Sequence, residues 1–161
     1  IALMKDQVDA LQDKGVRAAF INSSLNRQER ETRYEQVANG KFDLLYVTPE
    51  RFRKTDFIDV LAQRDIKLLA VDEAHCISEW GHDFRPEYRR IRTIVNQIAE
   101  VPIIALTATA TPKVQADIQK NLGMKDARLF KASFNRENLF YEVRPKKDAL
   151  KQIVRHAKTN V

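Results

Sequence analysis

Asp72 and Glu73 stand side by side directly after the apolar run Leu-Leu-Ala-Val at 68–71, and His75 follows two residues on. Such a run reads as a short buried parallel strand, and adjacent carboxylates at its end are delivered to the carboxyl edge of the sheet, where ligand sites form. There they suit hydrolysis of a phosphoanhydride. That reaction needs a divalent cation beside the terminal phosphates and a group that orients the attacking water. Asp72 would hold Mg²⁺, through water, and Glu73 would act on the nucleophile. A bare Asp-Glu pair is more often an ordinary acidic strand end. The full tetrapeptide Asp72-Glu73-Ala74-His75, placed after a strand, is a sharper signal.

His75 is poorly placed for a metal by spacing, because His82 and His156 are not at helical ligand distance from it and a zinc site needs three or four convergent ligands. A hydrogen bond to the hydroxyl of Thr107 or Thr109, at the end of another strand, would link two edges of one site. Thr107 to Thr111 can equally cap the helix that follows, and both readings can hold at once. Cys76 reads as a small buried filler, since acidic neighbours raise a thiol pKa. After it, the stretch to Tyr88 carries the single tryptophan, Trp80, with His82, Phe84 and Arg85 and no regular periodicity. Trp80, Phe84 and Arg85 could stack on unpaired bases and neutralise phosphates, or serve as packing pegs; composition leaves the two even. Arg89, Arg90 and Arg92 read as the solvated face of the next helix.

The elements that position these groups alternate. Leu3, Met4, Val8 and Leu11 share a helical face that Gly15 stops, and residues 18–21 form a strand. Asn26 caps a polar helix running to Asn39, with Gly40 as its stop. Residues 42–47 are the next strand, with Thr48, Pro49, Glu50 and Arg51 at its end, and a helix occupies 58–63. Beyond the central strand and loop, a helix begins near Glu87, a strand covers 103–106, and Val114, Ile118 and Leu122 mark a helix closed by Gly123. Residues 128–132 and 139–143 have strand character, and the polar tract 133–138 between them is a candidate boundary. This rhythm predicts an α/β domain with a mainly parallel sheet and helices on both faces.

With 161 residues, 43% of them hydrophobic, the chain can fill one domain with a real core, which excludes disorder. The net charge of +6 and a pI near 9.5 favour a polyanionic partner without specifying one. One cysteine excludes a disulfide framework and a cysteine-rich zinc site, and points to a reducing compartment. No signal peptide or spanning segment is read.

On these motifs the chain resembles the first RecA-like lobe of RecQ-family DNA helicases over nearly its whole length. IALMKDQV at 1–8 resembles motif Ia, TPER at 48–51 the motif Ib region, DEAH at 72–75 the Walker B box, ISEWGHDFRPEY at 77–88 the aromatic-rich loop, and TATAT at 107–111 motif III. The aromatic-rich loop discriminates most, because DEAH also occurs in RNA helicases that lack it. The resemblance implies a RecA-like P-loop NTPase fold and ATP-driven 3′ to 5′ movement on single-stranded DNA, with duplex unwinding in DNA repair and recombination. It assigns Mg²⁺ to Asp72, water activation to Glu73, and coupling to His75 with Thr107 and Thr109. DNA sensing falls to Trp80, Phe84 and Arg85. Lys5, Gln7, Ser23, Thr48 and Arg51 lie in segments similar to strand-contacting motifs.

The chain departs from that pattern at Glu137, where the family usually has proline, and in containing no GxxxxGK[ST] phosphate loop. The expectation is a lobe at 1–132 lacking its phosphate-loop start, then a linker and the beginning of a second RecA-like lobe at 133–161. Such a fragment should be inactive alone, binding ATP only with the missing loop and second lobe, and its uncovered sheet edge should favour self-association. A bacterial source would place the protein in the cytoplasm at the nucleoid, a eukaryotic one in the nucleus. A non-catalytic nucleic-acid-binding domain of helicase-like shape and a DEAH-type RNA helicase are the alternatives.

Overall fold

The computed structural model describes residues 2–98, 101–124, 126–133, 136–143 and 145–159. The chain divides into two compact units, Ile1–Ala127 and Arg128–Val161.

In the first unit, α1 (Ala2–Gln12) leads to β1 (Ala18–Ile21), α2 (Arg27–Ala38) and β2 (Leu44–Val47). Strand β1 runs parallel to β2 with Ala18 opposite Leu44 and Ile21 opposite Val47. Helix α2 starts where the sequence puts it. Asn26 Oδ1 accepts the Glu29 N–H at 2.9 Å and the Asn26 N–H donates to Glu29 Oε2 at 2.8 Å, a reciprocal capping box. A 3-10 turn at Pro49–Arg53 and α3 (Thr55–Ala62) follow. The expected apolar face of α1 is buried only at Val8, since Leu3 stays exposed.

The second half of the unit holds β3 (Leu69–Val71), a 3-10 turn at Ala74–Ile77, α4 (Pro86–Ile98), β4 (Ile103–Ala105) and α5 (Pro112–Leu122). Strands β3 and β4 are parallel, with Leu69 opposite Ile103 and Val71 opposite Ala105. The Thr111 hydroxyl accepts the Val114 N–H to cap α5, and Gly123 closes it in the left-handed region at φ 72°.

The parallel strands therefore lie as two pairs among the described residues, β1 with β2 and β3 with β4. One core serves both. Tyr34 and Val37 of α2, Phe57 and Leu61 of α3, Ile91 and Ile94 of α4, and Val114, Ile118 and Leu122 of α5 pack with Ile21 and Val71. Phe57 is fully enclosed, its ring 5.5 Å from that of Tyr34 and 5.7 Å from that of Phe52. Burying a phenylalanine so completely contributes about 2–3 kcal/mol.

Strand β3 departs from the fully buried strand expected. Successive side chains alternate across the pleat. Val71 and Leu69 reach the core, whereas Ala70, with Ile104 and the flanking Leu68 and Leu106, is exposed. One face of the β3–β4 pair is covered and the other is bare.

In the second unit the expected strands at 128–132 and 139–143 do not form; the described residues there carry no strand. Leu129, Phe130, Phe140, Tyr141 and Val143 are exposed. Strand propensity reports fit to a half-buried pleat, and these exposed residues have no such pleat to fit. Helix α6 (Ala149–Thr159) ends the described chain.

Candidate functional site

The carboxylates sit where β3 stops being a strand. The ladder continues one step past each strand end: the Leu106 N–H donates to the Val71 carbonyl at 2.9 Å and the Ala74 N–H to the Leu106 carbonyl at 2.9 Å. Between those bonds the chain must reverse its course within two residues. Asp72 Oδ1 accepts the Glu73 N–H at 2.9 Å, and Glu73 itself lies in the left-handed region at φ 48°, ψ 40°. It is the one non-glycine at positive φ among the described residues. That conformation costs a residue with a Cβ about 1–2 kcal/mol, so the turn holds both carboxylates out of the sheet at the expense of local strain. Both are exposed.

The next turn buries what the first exposes. Ala74, His75, Cys76, Ile77 and Ser78 are all buried. His75 Nδ1 lies 3.1 Å from Thr107 Oγ1 and 3.3 Å from Glu73 Oε2, so one ring nitrogen faces both the candidate water-orienting carboxylate and the end of β4. Thr107 Oγ1 also accepts the Thr109 N–H at 3.3 Å. Thr109 thus joins through its backbone, where a hydroxyl contact was expected. The reading of Thr107 to Thr111 as a cap is met by Thr111, and the link to His75 by Thr107.

The aromatic segment is anchored at both ends to this buried turn. The Arg85 N–H donates to the Cys76 carbonyl at 2.9 Å, and the Trp80 N–H to Ser78 Oγ at 3.2 Å. Gly81 passes so close beneath that a Cβ there would stand 2.6 Å from the His75 carbonyl oxygen. The His82 ring stacks on that of His75, with centroids 4.4 Å apart. Trp80 is 65% exposed, with Lys113 Nζ of α5 3.1 Å from its ring centroid. Phe84 lies under the Arg89 guanidinium at 5.0 Å.

Charge in the loop is paired. Arg85 Nη2 donates to Asp83 Oδ2 at 2.5 Å, and this guanidinium holds the Asp83 carboxyl below the usual range. Burial pushes the Cys76 thiol up, as the acidic surroundings also do. Burial likewise pushes the Tyr88 phenol up, to about 12. The solvated helix face expected of Arg89, Arg90 and Arg92 is met, since all three are exposed, but two of them also make bonds. Arg89 donates to Glu79 at 2.8 Å and to the Ile77 carbonyl at 3.3 Å, and Arg92 to the Lys120 carbonyl at 3.1 Å. Guanidiniums at the loop's root are part of its frame.

The remaining site residues gather at the carboxyl ends of β1 and β2, on α1 and beyond. Arg51 Nη2 donates to the Asn22 carbonyl at 3.1 Å, and the Thr48 N–H to the Ile21 carbonyl at 3.3 Å, tying the two strand ends together. Ser23 is exposed beside them, and Lys5 and Gln7 are exposed on α1. Asn22, absent from the sequence reading, organises this edge: it is fully buried and its Oδ1 accepts both the Ser24 N–H at 2.9 Å and the Ser24 hydroxyl at 2.6 Å. A buried asparagine directly after an apolar strand was the available signal.

The match to known proteins covers this same architecture. Residues 1–118 match the family described as DEAD/DEAH box helicase. The chain belongs to that family. Within it, the chain is 49% identical over 144 residues to the ATP-dependent DNA helicase RecQ of Bacillus subtilis, covering 89% of this chain and 24% of that protein. Against RecQ of Haemophilus influenzae the identity is 40% over 155 residues, 96% of this chain and 25% of the other. The ATP-dependent helicase SGS1 of Saccharomyces cerevisiae is 39% identical over 151 residues, 91% of this chain and 10% of that one. The chain therefore spans a quarter or less of the length of these helicases. Its RecA-like α/β fold, with parallel strands and flanking helices, accords with that membership.

Proposed function

We propose that this chain is the part of an ATP-dependent DNA helicase that joins the nucleotide site to a DNA-sensing loop, in a protein that hydrolyses ATP to move 3′ to 5′ along single-stranded DNA and separate duplexes during repair and recombination. The observation that carries this reading is a continuous linkage. Glu73 meets His75, His75 meets Thr107, and the buried turn that holds His75 is also the anchor of Trp80, Phe84 and Arg85.

Asp72 fits a Mg²⁺ ligand through water: one carboxylate oxygen is engaged by the Glu73 N–H and the side chain is exposed at the strand end. Magnesium with ATP would supply charge neutralisation on the phosphates. Glu73 orients the attacking water and accepts its proton. His75 reports the state of Glu73 to Thr107, whose oxygen also fixes the Thr109 backbone. Trp80 and Phe84 offer ring faces to unpaired bases, and Arg85 offers charge to phosphate. Lys5 and Gln7 on α1, with Ser23, Thr48 and Arg51 at the ends of β1 and β2, are the residues we assign to the DNA backbone. Residues 133–161 lead toward a second RecA-like lobe.

The experiment is Glu73→Gln in the whole protein. We expect kcat for DNA-stimulated ATP hydrolysis to fall about a hundredfold or more, the range for a lost general base, with nucleotide affinity unchanged. A variant keeping most of its kcat removes Glu73 from the chemistry.

A further inference from the structure

The imidazole of His75 has two faces, and only one is used by the linkage described above. Nδ1 points to Thr107 and Glu73; Nε2 lies 3.7 Å from Cys76 Sγ. Cys76 Sγ in turn lies 3.8 Å from Asp83 Oδ2. The three donor atoms, an imidazole nitrogen, a sulfur and a carboxylate oxygen, all fall within 4.8 Å of one another, with His75 and Cys76 buried.

We propose that His75, Cys76 and Asp83 form a site for a borderline-soft divalent cation of the zinc type, distinct from the magnesium position at Asp72. The two separations at sulfur are close to what such an ion needs. With metal–sulfur bonds of about 2.3 Å and metal–nitrogen or metal–oxygen bonds of about 2.0–2.2 Å, neighbouring ligands of a tetrahedron stand roughly 3.3–3.7 Å apart. The 3.7 and 3.8 Å separations are near that edge already. The donor set is the wrong one for magnesium, which takes oxygen ligands, and the right one for zinc, which takes thiolate, imidazole and carboxylate. A fourth, open position would be filled by water. Binding replaces the thiol proton that now lies between Cys76 and Asp83, and that proton leaves to solvent.

The fold itself assembles the site. Cys76 and Asp83 are seven residues apart, and the bond from the Arg85 N–H to the Cys76 carbonyl folds the loop back to bring them together. An ion there would fasten Asp83, which lies between His82 and Phe84, to the buried turn. The aromatic loop would then be held fixed on the buried turn, so the ion would act as an inhibitor by blocking the loop movement through which DNA binding reaches the carboxylates. That consequence rests on the helicase reading; the metal site does not.

Cobalt(II) titration of the 161-residue chain, followed by visible and near-ultraviolet absorption, tests the site by itself. Cys76 is the only cysteine, so a thiolate-to-cobalt band can have no other origin in the chain. We expect one equivalent of cobalt to give tetrahedral visible bands and that charge-transfer band, both displaced by zinc and untouched by millimolar magnesium. Cys76→Ser should abolish the charge-transfer band, and Asp83→Asn, at a partly exposed position where folding is not at stake, should weaken binding about tenfold or more. The proposal is overturned by any of three results: no charge-transfer band from a chain with native circular dichroism, undiminished affinity in Asp83→Asn, or displacement of cobalt by magnesium.

Discussion

His75 Nδ1 sits 3.1 Å from Thr107 Oγ1, a side-chain contact that joins the turn after β3 to the end of β4 beside the backbone bond from Ala74 to Leu106. Glu73 reaches the same nitrogen from the solvent side at 3.3 Å. In the whole protein, Thr107→Val keeps the shape and removes the hydroxyl. We expect it to leave nucleotide and DNA affinities near wild type and to lower DNA stimulation of ATP hydrolysis several-fold, about what one hydrogen bond is worth. Full stimulation in Thr107→Val would show that the contact is only packing.

Trp80 is the single tryptophan and rests against Lys113, so its fluorescence reports the loop without a label. A base that stacks on the exposed ring must displace the ammonium. Single-stranded DNA should quench this emission, and Lys113→Ala should tighten the spectroscopic midpoint modestly at fixed salt, by about two- to fivefold if an exposed cation–π contact of roughly 0.5–1 kcal/mol is removed. Emission that ignores saturating DNA would assign the ring to packing. In the whole protein, alanine at Trp80, Phe84 or Arg85 should weaken DNA-stimulated hydrolysis more than DNA binding, because phosphate contacts elsewhere supply most of the affinity.

Gly81 leaves no room for a methyl group, since a Cβ would meet the backbone oxygens of His75 at 2.6 Å and Ser78 at 3.2 Å. Neither can swing aside as a side chain would. Gly81→Ala should destabilise the chain by about 1–3 kcal/mol, the usual cost of overpacking. Urea denaturation followed at Trp80 measures it, and an unchanged midpoint would contradict the close approach.

Stability should fall on the alkaline side. The folded state keeps the Cys76 thiol and the Tyr88 phenol protonated beyond their ordinary values, the latter to about 12. The unfolded chain therefore loses these protons first, and stability present below the ordinary thiol value is lost as pH rises. Urea midpoints should decline between about pH 8 and pH 10.5, with Cys76→Ala flattening the early part of the curve. Identical slopes in the variant and the wild type would remove the thiol from the account.

No GxxxxGK[ST] sequence occurs in residues 1–161, and exposed carboxylates repel a polyphosphate that no backbone cradle holds. The chain by itself should show no micromolar binding of Mg-ATP by calorimetry. With a net charge of +6 it should still bind single-stranded DNA weakly, losing affinity as salt rises. Tight ATP binding would sink the account of the nucleotide site.

What could be read from the sequence was whatever depends on near neighbours. The Asn26 cap, the Thr111 cap and the Gly123 stop are each decided within four residues, and all formed as read. What escaped depends on partners far along the chain. Residues 128–132 and 139–143 have the composition of strands but form none. Arg89 lies on the exposed helix face as read, but its bonds to Glu79 and the Ile77 carbonyl depend on residues ten and twelve positions back. Glu73 carries no glycine-like signal, and only the need to reverse course between two β4 contacts reveals its left-handed backbone.

The two strand pairs differ in support, and the chemistry is on the weaker one. Strands β1 and β2 share four rungs, with Ala18, Ala19 and Ile21 sealed inside, whereas β3 and β4 share three and are bare on one side. Amide protons of the β3–β4 pair should therefore exchange with solvent through a cheaper opening than those of β1. Were that pair to part, Asp72, Glu73, His75 and Thr107 would lose their mutual alignment together, and Val71 would leave the core that it shares with Phe57. Loosening the site therefore loosens the core beneath it.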